Sequence, residues 1–226
     1  MRAEPSDMIL VRAPGVYRPQ EDTRLLIRAM AAAAIPRGGT MLDVCTGSGA
    51  VAVAAALLGG AEHVTAVDIS RSALISAWLN SRLRRTRIEL LHGEFAEVLG
   101  HRRFDVVLAN PPYVPGPVPT PTYGPARAWE AGPAGRAVLD PLCRILPNLL
   151  NPKGIGLIVH SSLCDVDATV RDLRDGGLKA AIVAREINEF GPVLRARAPW
   201  LESAGLIEPG QRYEELVVVR ADRTAT

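Results

Sequence analysis

The stretch FDVVLANPPYVPGP, Phe104–Pro117, decides the fold. It opens as the apolar run of a buried strand. It then stops at Asn110-Pro111-Pro112-Tyr113, with further prolines behind. An ordinary turn would use Gly, Asp or Ser with at most one Pro. A polar amide, two stiff imino acids and an aromatic ring are better suited to a site held at a strand end. The Asn110 side chain offers an acceptor and a donor. Pro111 has no N–H, and its carbonyl is free to face a ligand.

Outward from that stretch, strand-like and helix-like segments alternate, the pattern of an α/β fold with a parallel sheet. Upstream, Pro19–Ala34 predicts a helix whose apolar stripe is Leu25, Leu26, Ile27 and Met30. Thr40–Cys45 reads as a buried strand, TGSG as a turn and Ala50–Leu58 as an Ala-rich helix. His63–Ile69 is a second strand, and Ser70 caps a helix running to about Arg84. Arg87–Gly93 and Phe104–Asn110 are the third and fourth strands. The Pro- and Gly-rich segment 111–135 is irregular and long, which points to function, and a substrate-side loop is expected there. Helix follows at Arg136–Leu150, strand at Gly154–Ser161, helix at Asp165–Gly176 and strand at Leu178–Glu186. A short helix at Leu194–Ala204 and a last strand at Glu214–Arg220 close the chain. The expected architecture is a seven-stranded, doubly wound sheet with one antiparallel strand. It forms a single domain over residues 1–226, with residues 1–35 as an N-terminal segment and helix.

The balance of 48% hydrophobic and 22% charged residues is that of a globular protein. A net charge of +2 gives no global field to attract nucleic acid. The basic run Arg82–Arg87 reads as a solvated turn, with a nucleic-acid patch as the alternative. Cys45, Cys143 and Cys164 are widely spaced and form no CxxC pair, which argues against a disulfide framework or a structural metal site. The first residues lack the apolar core of a signal peptide, and Ala50–Leu58 is too short to span a bilayer. A cytoplasmic protein is expected.

Three acids fall at successive strand ends. Asp43 lies in LDVCTGSG, and the glycines Gly47 and Gly49 allow a sharp turn and close approach of a ligand. The third position of a dinucleotide fingerprint is Ala52, and no GK[ST] follows, so phosphate cradling is not indicated. Asp68 ends the second strand, where an acid can accept from both ribose hydroxyls. Glu94 follows the third strand, placed to accept from an adenine amine with Phe95 packed on the base. Each acid alone also fits a helix cap or turn former. Asn110 ends the fourth strand on the same edge. Its oxygen and the Pro111 carbonyl can each take one N–H of a planar amino group, and Tyr113 can stack on that group.

In these motifs the chain resembles the class I S-adenosylmethionine-dependent methyltransferases. More narrowly it is similar to the HemK/PrmC group of protein-glutamine methyltransferases, in the short branch without the N-terminal helical domain. The resemblance rests on VYRPQEDTRLLIRAM (Val16–Met30), LDVCTGSG, AVDIS, NPPYV and AWEAGPAGRAVLD (Ala128–Asp140), in that order. It implies a Rossmann-like fold and S-adenosyl-L-methionine as cofactor. Thr23 would contact the cofactor, Asp43, Gly47 and Gly49 would line its methionine end, and Asp68 would hold the ribose. Glu94 and Phe95 would frame the adenine, and Asn110, Pro111 and Tyr113 would hold the acceptor amide. Cys45 stands where the family usually has the first glycine of the loop, and Glu94 where Asp is commoner. The implied acceptor is an exposed glutamine of a protein such as a release factor, with a small activator subunit as a further partner. Adenine methylation on RNA or DNA, and small-molecule methylation under a lid at Val114–Pro125, remain as alternatives.

Overall fold

The computed structural model describes residues 10–35, 38–118 and 124–225. The elements in chain order are α1 (Glu21–Ala32), β1 (Thr40–Val44), α2 (Ala50–Leu58), β2 (His63–Asp68), α3 (Arg71–Leu83) and β3 (Ile88–His92). Then come α4 (Phe95–Val98), β4 (Phe104–Ala109), α5 (Leu139–Leu149), β5 (Leu150–Ser161), α6 (Val166–Asp175), β6 (Lys179–Glu189), α7 (Pro192–Ser203) and β7 (Tyr213–Asp222). The sheet order is β3-β2-β1-β4-β5-β7-β6. All pairings are parallel except those of β7, which runs antiparallel to both neighbours.

The strands that sequence marks as apolar are the buried ones: Met41, Leu42, Val44, Val107, Leu108 and Ala109 are nearly inaccessible. Successive crossovers move away from β1 toward β3, then return through β4 to β5. Right-handed crossovers of opposite direction put their helices on opposite faces. Accordingly α1, α2 and α3 pack side by side, and α4, α5 and α6 form a separate layer. The expected stripe of α1 is buried, and its first turn carries Glu21 and Asp22, where the helix dipole favours carboxylates. Ala-rich α2 can approach the sheet closely because six of its side chains are small and buried. Ser70 caps α3 as expected, accepting from the Ala73 N–H.

Some boundaries differ from the sequence reading. The fifth helix starts at Leu139 rather than Arg136, because Ala131 and Gly132 bond to Val114 and Gly116 just after NPPY, and Gly135 and Ala137 bond back to Gly132 and Ala131. The fifth strand begins at Leu150, with no break from the helix before it. The one-turn α4 was not foreseen, being too short for a helical period. Residues 119–123 of the segment proposed as a lid lie outside the described residues. Among the described residues no helix is long and apolar enough to cross a membrane.

Candidate active site

The strand order reverses between β1 and β4, where ligands bind in open α/β sheets. Register brings the strand ends together: Val44 pairs with both Val67 and Ala109, and Asp68 with His92. The residues just beyond these pairs therefore share one edge. A cleft of about 860 Å³ opens there, within the size range of small-molecule sites. Thr23, Asp43, Cys45, Gly47, Asp68, Glu94, Phe95 and Asn110 line it, with Pro112 beside them. Gly49, Pro111 and Tyr113 do not form its lining.

The loop after β1 is built around Asp43. Helix α2 begins at Gly49, which has no side chain to cap it. The Asp43 Oδ2 substitutes, accepting from the Ala52 N–H at 3.0 Å and from the Thr46 hydroxyl at 2.6 Å. Burial pushes the Asp43 carboxyl up to about 7. Cys45 has φ +60°, the left-handed region that favours glycine, so a glycine at this position has a steric reason. Burial and the neighbouring carboxylates of Asp68, Asp43 and Glu94 hold its thiol well above the ordinary value, protonated and unreactive. Gly47 (φ +55°) faces open space where a side chain would project, whereas a Cβ on Gly49 (φ +81°) would meet the Ala77 Cα at 2.9 Å. The first glycine leaves room for a ligand, and the second lets α2 meet α3.

Asp68 ties the same turn from β2. Its Oδ2 accepts from the Gly47 N–H at 2.9 Å and its Oδ1 from the Ser70 N–H at 2.8 Å. Burial raises its carboxyl, while these N–H groups and the Arg127 charge oppose the rise. Each oxygen keeps a lone pair for a diol. Glu94 precedes α4 without capping it, and Phe95 behind it is buried. The cleft thus joins the Asp68 carboxylate, the Glu94 carboxylate, to which no described residue is shown donating, and the apolar Phe95. Both carboxylates can accept hydroxyl or amino hydrogens of a ligand.

Asn110 directly follows β4 and lines the same cleft. Its Nδ2 donates to the Thr23 Oγ1 at 3.2 Å. No described residue donates to the Pro111 carbonyl. Tyr113 is buried, and its hydroxyl donates to Asp22 Oδ2 at 3.1 Å. The rest of the segment is fastened from outside the motif. Val114 bridges Glu130, Cys164 Sγ donates to the Tyr113 carbonyl at 2.9 Å, and Arg197 of α7 donates to the Pro115 carbonyl at 2.9 Å. Arg197 also pairs with the largely buried Glu130. The Arg136 guanidinium fixes the following turn through the Cys164 and Asp165 carbonyls and the Asp140 and Asp172 carboxylates. This accounts for the WEAGPAGR segment: its Glu and final Arg are tethers.

Sequence reasoning missed Tyr17, Asp22 and Arg127. Tyr17 and Arg127 line the cleft, and buried Asp22 gathers the Tyr17 and Tyr113 hydroxyls. Tyr17 and Asp22 lie in the quoted opening segment, and the acid at a helix start was the available signal. His160, near the end of β5, is fully buried away from the cleft lining, and burial lowers it to about 4, so it stays neutral.

Comparison with known proteins agrees with this geometry. The family model for the methyltransferase small domain matches residues 7–122. A Methanocaldococcus jannaschii protein assigned as a protein N5-glutamine methyltransferase is 33% identical over 174 residues, 76% of this chain and 85% of that one. The release factor glutamine methyltransferase of Geobacter sulfurreducens is 31% identical over 193 residues, covering 83% of this chain and 67% of that one. Among solved structures, the E. cuniculi Mtq2–Trm112 complex, described as responsible for methylating the eRF1 termination factor, superposes with a TM-score of 0.58 at 18% identity. That alignment covers 93% of this chain and 99% of the other. With its motifs on one sheet edge and its relatives matched along most of their length, the chain belongs to the methyltransferase small-domain family, in the HemK group of glutamine methyltransferases.

Proposed function

We propose that this protein transfers a methyl group from S-adenosyl-L-methionine to the side-chain amide nitrogen of a glutamine in a protein, with a translation release factor as the acceptor. The observation that carries the reading is Asn110, set in the same cleft as Asp68 and Glu94 with its amino group already engaged by Thr23. The relatives named for glutamine methylation support the choice of acceptor.

Bound S-adenosyl-L-methionine supplies a methyl group already activated by its sulfonium. Asp68 would hold the ribose hydroxyls, Glu94 the adenine amine against Phe95, and Thr23, Cys45 and Gly47 would stand toward the methionine end. Asn110 Oδ1 and the Pro111 carbonyl would accept the two N–H groups of the glutamine amide. That aims the nitrogen at the methyl, and alignment of this kind is worth up to roughly 7–11 kcal/mol. Both hydrogen bonds strengthen as the nitrogen becomes positive, which stabilises the transition state over the ground state. The nitrogen gains the methyl and releases one proton to solvent. In this proposal residues 1–226 form one methyltransferase domain working in the cytoplasm, where release factors act. A small activator subunit is part of the proposal, supported by the two-protein E. cuniculi neighbour.

The test is methyl transfer from labelled cofactor to release factors, total RNA, DNA and a small-molecule extract, each beside Asn110→Ala. Label on a release-factor glutamine that is lost in Asn110→Ala is the expected result. Label confined to another fraction would overturn the acceptor.

A further inference from the structure

The Asn110 amide can face an acceptor with either its oxygen or its amino group, and only the oxygen can receive an N–H. We propose that Asp22 and Thr23 fix which one it is, making them positioning residues for methyl transfer. The proposal rests on the amide-methylation reading above.

The argument follows the hydrogens. Asp22 is buried in the first turn of α1, and four donors converge on its carboxylate. The Thr23 N–H and hydroxyl approach Oδ1 at 2.6 and 3.1 Å, and the Tyr17 and Tyr113 hydroxyls approach Oδ2 at 3.0 and 3.1 Å. A threonine hydroxyl has a single hydrogen. With that hydrogen given to Asp22, the Thr23 oxygen can only accept. The Asn110 group beside it, at 3.2 Å, must therefore be the donor, Nδ2. An Asn110 turned the other way would set two acceptors against each other in a partly buried place, which is unfavourable. Oδ1 is then the end of the amide left for the cleft that Asn110 lines. Tyr113 serves the same carboxylate, so the residue three places after Asn110 ties the strand exit to α1. The carboxylate thereby sets the polarity of a side chain that it does not touch.

Three variants test this. Thr23→Val keeps the shape and removes the hydroxyl; Thr23→Ser restores it. Asp22→Leu removes the acceptor, freeing the Thr23 hydroxyl to donate to Asn110 and invert the amide. We expect Thr23→Val and Asp22→Leu to lose at least about tenfold in kcat on a glutamine acceptor, and Thr23→Ser to recover most of that loss. A second readout needs no acceptor: the Asn110 side-chain amide in a 15N-labelled NMR spectrum, assigned with Asn110→Asp. Its amino protons should be protected from exchange in the wild type and lose that protection at least about tenfold in Thr23→Val, but not in Thr23→Ser. An Asn110 signal indifferent to Thr23→Val would overturn the proposal, as would unchanged kcat in that variant. If the wild type methylates no glutamine, the amide reading falls and the NMR comparison alone decides the relay. If Asp22→Leu does not fold, the Thr23 pair decides it.

Discussion

Gly47 and Gly49 sit two residues apart in one turn, yet the structure gives them different tasks, and alanine at each should separate the two. Both have positive φ, so either substitution carries about 1–2 kcal/mol of backbone strain. At Gly49 the new Cβ would also lie 2.9 Å from both the Cα and the Cβ of Ala77. The first of these is backbone, so α2 and α3 must move apart, an overpacking of about 1–3 kcal/mol. Together that is about 2–5 kcal/mol. For a chain of this size it lowers Tm by roughly 4–20 °C. At Gly47 the Cβ meets nothing within 4 Å, and only the strain remains, roughly 2–8 °C. That empty space belongs to the cleft, however, so the methyl occupies ligand volume. Cofactor affinity in Gly47→Ala should fall at least about tenfold. Thermal or urea melts of the ligand-free protein, with cofactor titration by calorimetry, read both effects. Equal destabilisation by the two variants, or unchanged cofactor affinity in Gly47→Ala, would refute this division of labour.

Three further outcomes are expected. Asn110→Ala should abolish measurable transfer while cofactor Kd, by calorimetry, stays within about threefold, because the loss is confined to acceptor orientation. Arg197→Met leaves Glu130 without its partner, and a urea midpoint should report about 2–3 kcal/mol of lost stability together with a raised acceptor KM. Burial raises the Glu214 carboxyl from its ordinary 4.5 to about 7, so between those values the folded chain holds a proton that the unfolded chain has lost. Stability is therefore fullest below pH 4.5 for this group and falls as pH rises through 7. Glu214→Gln should remove that part of the fall, about 3 kcal/mol across the window, in urea melts at a series of pH values.

The sheet was legible because its strands are apolar runs separated by turn residues, and the acids that line the cleft because Asp43, Asp68 and Glu94 each lie at or just beyond the end of such a run. Asn110-Pro111-Pro112-Tyr113 stood out for the opposite reason: it breaks the strand in a way no turn requires. What lay hidden depends on pairs distant in sequence. Asp22 meets Tyr113 across 91 positions, and Arg197 meets Glu130 across 67. No local period encodes such pairs, so Asp22 reads as an ordinary acid in a helix's first turn. Asp43 shows a subtler gap. Its place was evident, but that it caps a helix beginning with glycine emerges only once β1 and α2 are packed. α4 has too few residues for any periodic signal, and β5 starts early because its first residue, Leu150, pairs with Phe104.

The seating of β7 has a consequence for how the chain is made. β7 follows the other six strands of the sheet in the chain, yet it lies inside the sheet, between β5 and β6. Until residues 213–222 emerge, β6 has no strand beside it and β5 presents an open ladder of backbone groups along most of its length. Such edges invite pairing with other nascent chains. A translation stop anywhere between Glu189 and Tyr213 would include every residue that lines the cleft and still yield a polypeptide prone to aggregate. The half that lines the cleft is finished early in synthesis, and its solubility depends on a strand made well after it.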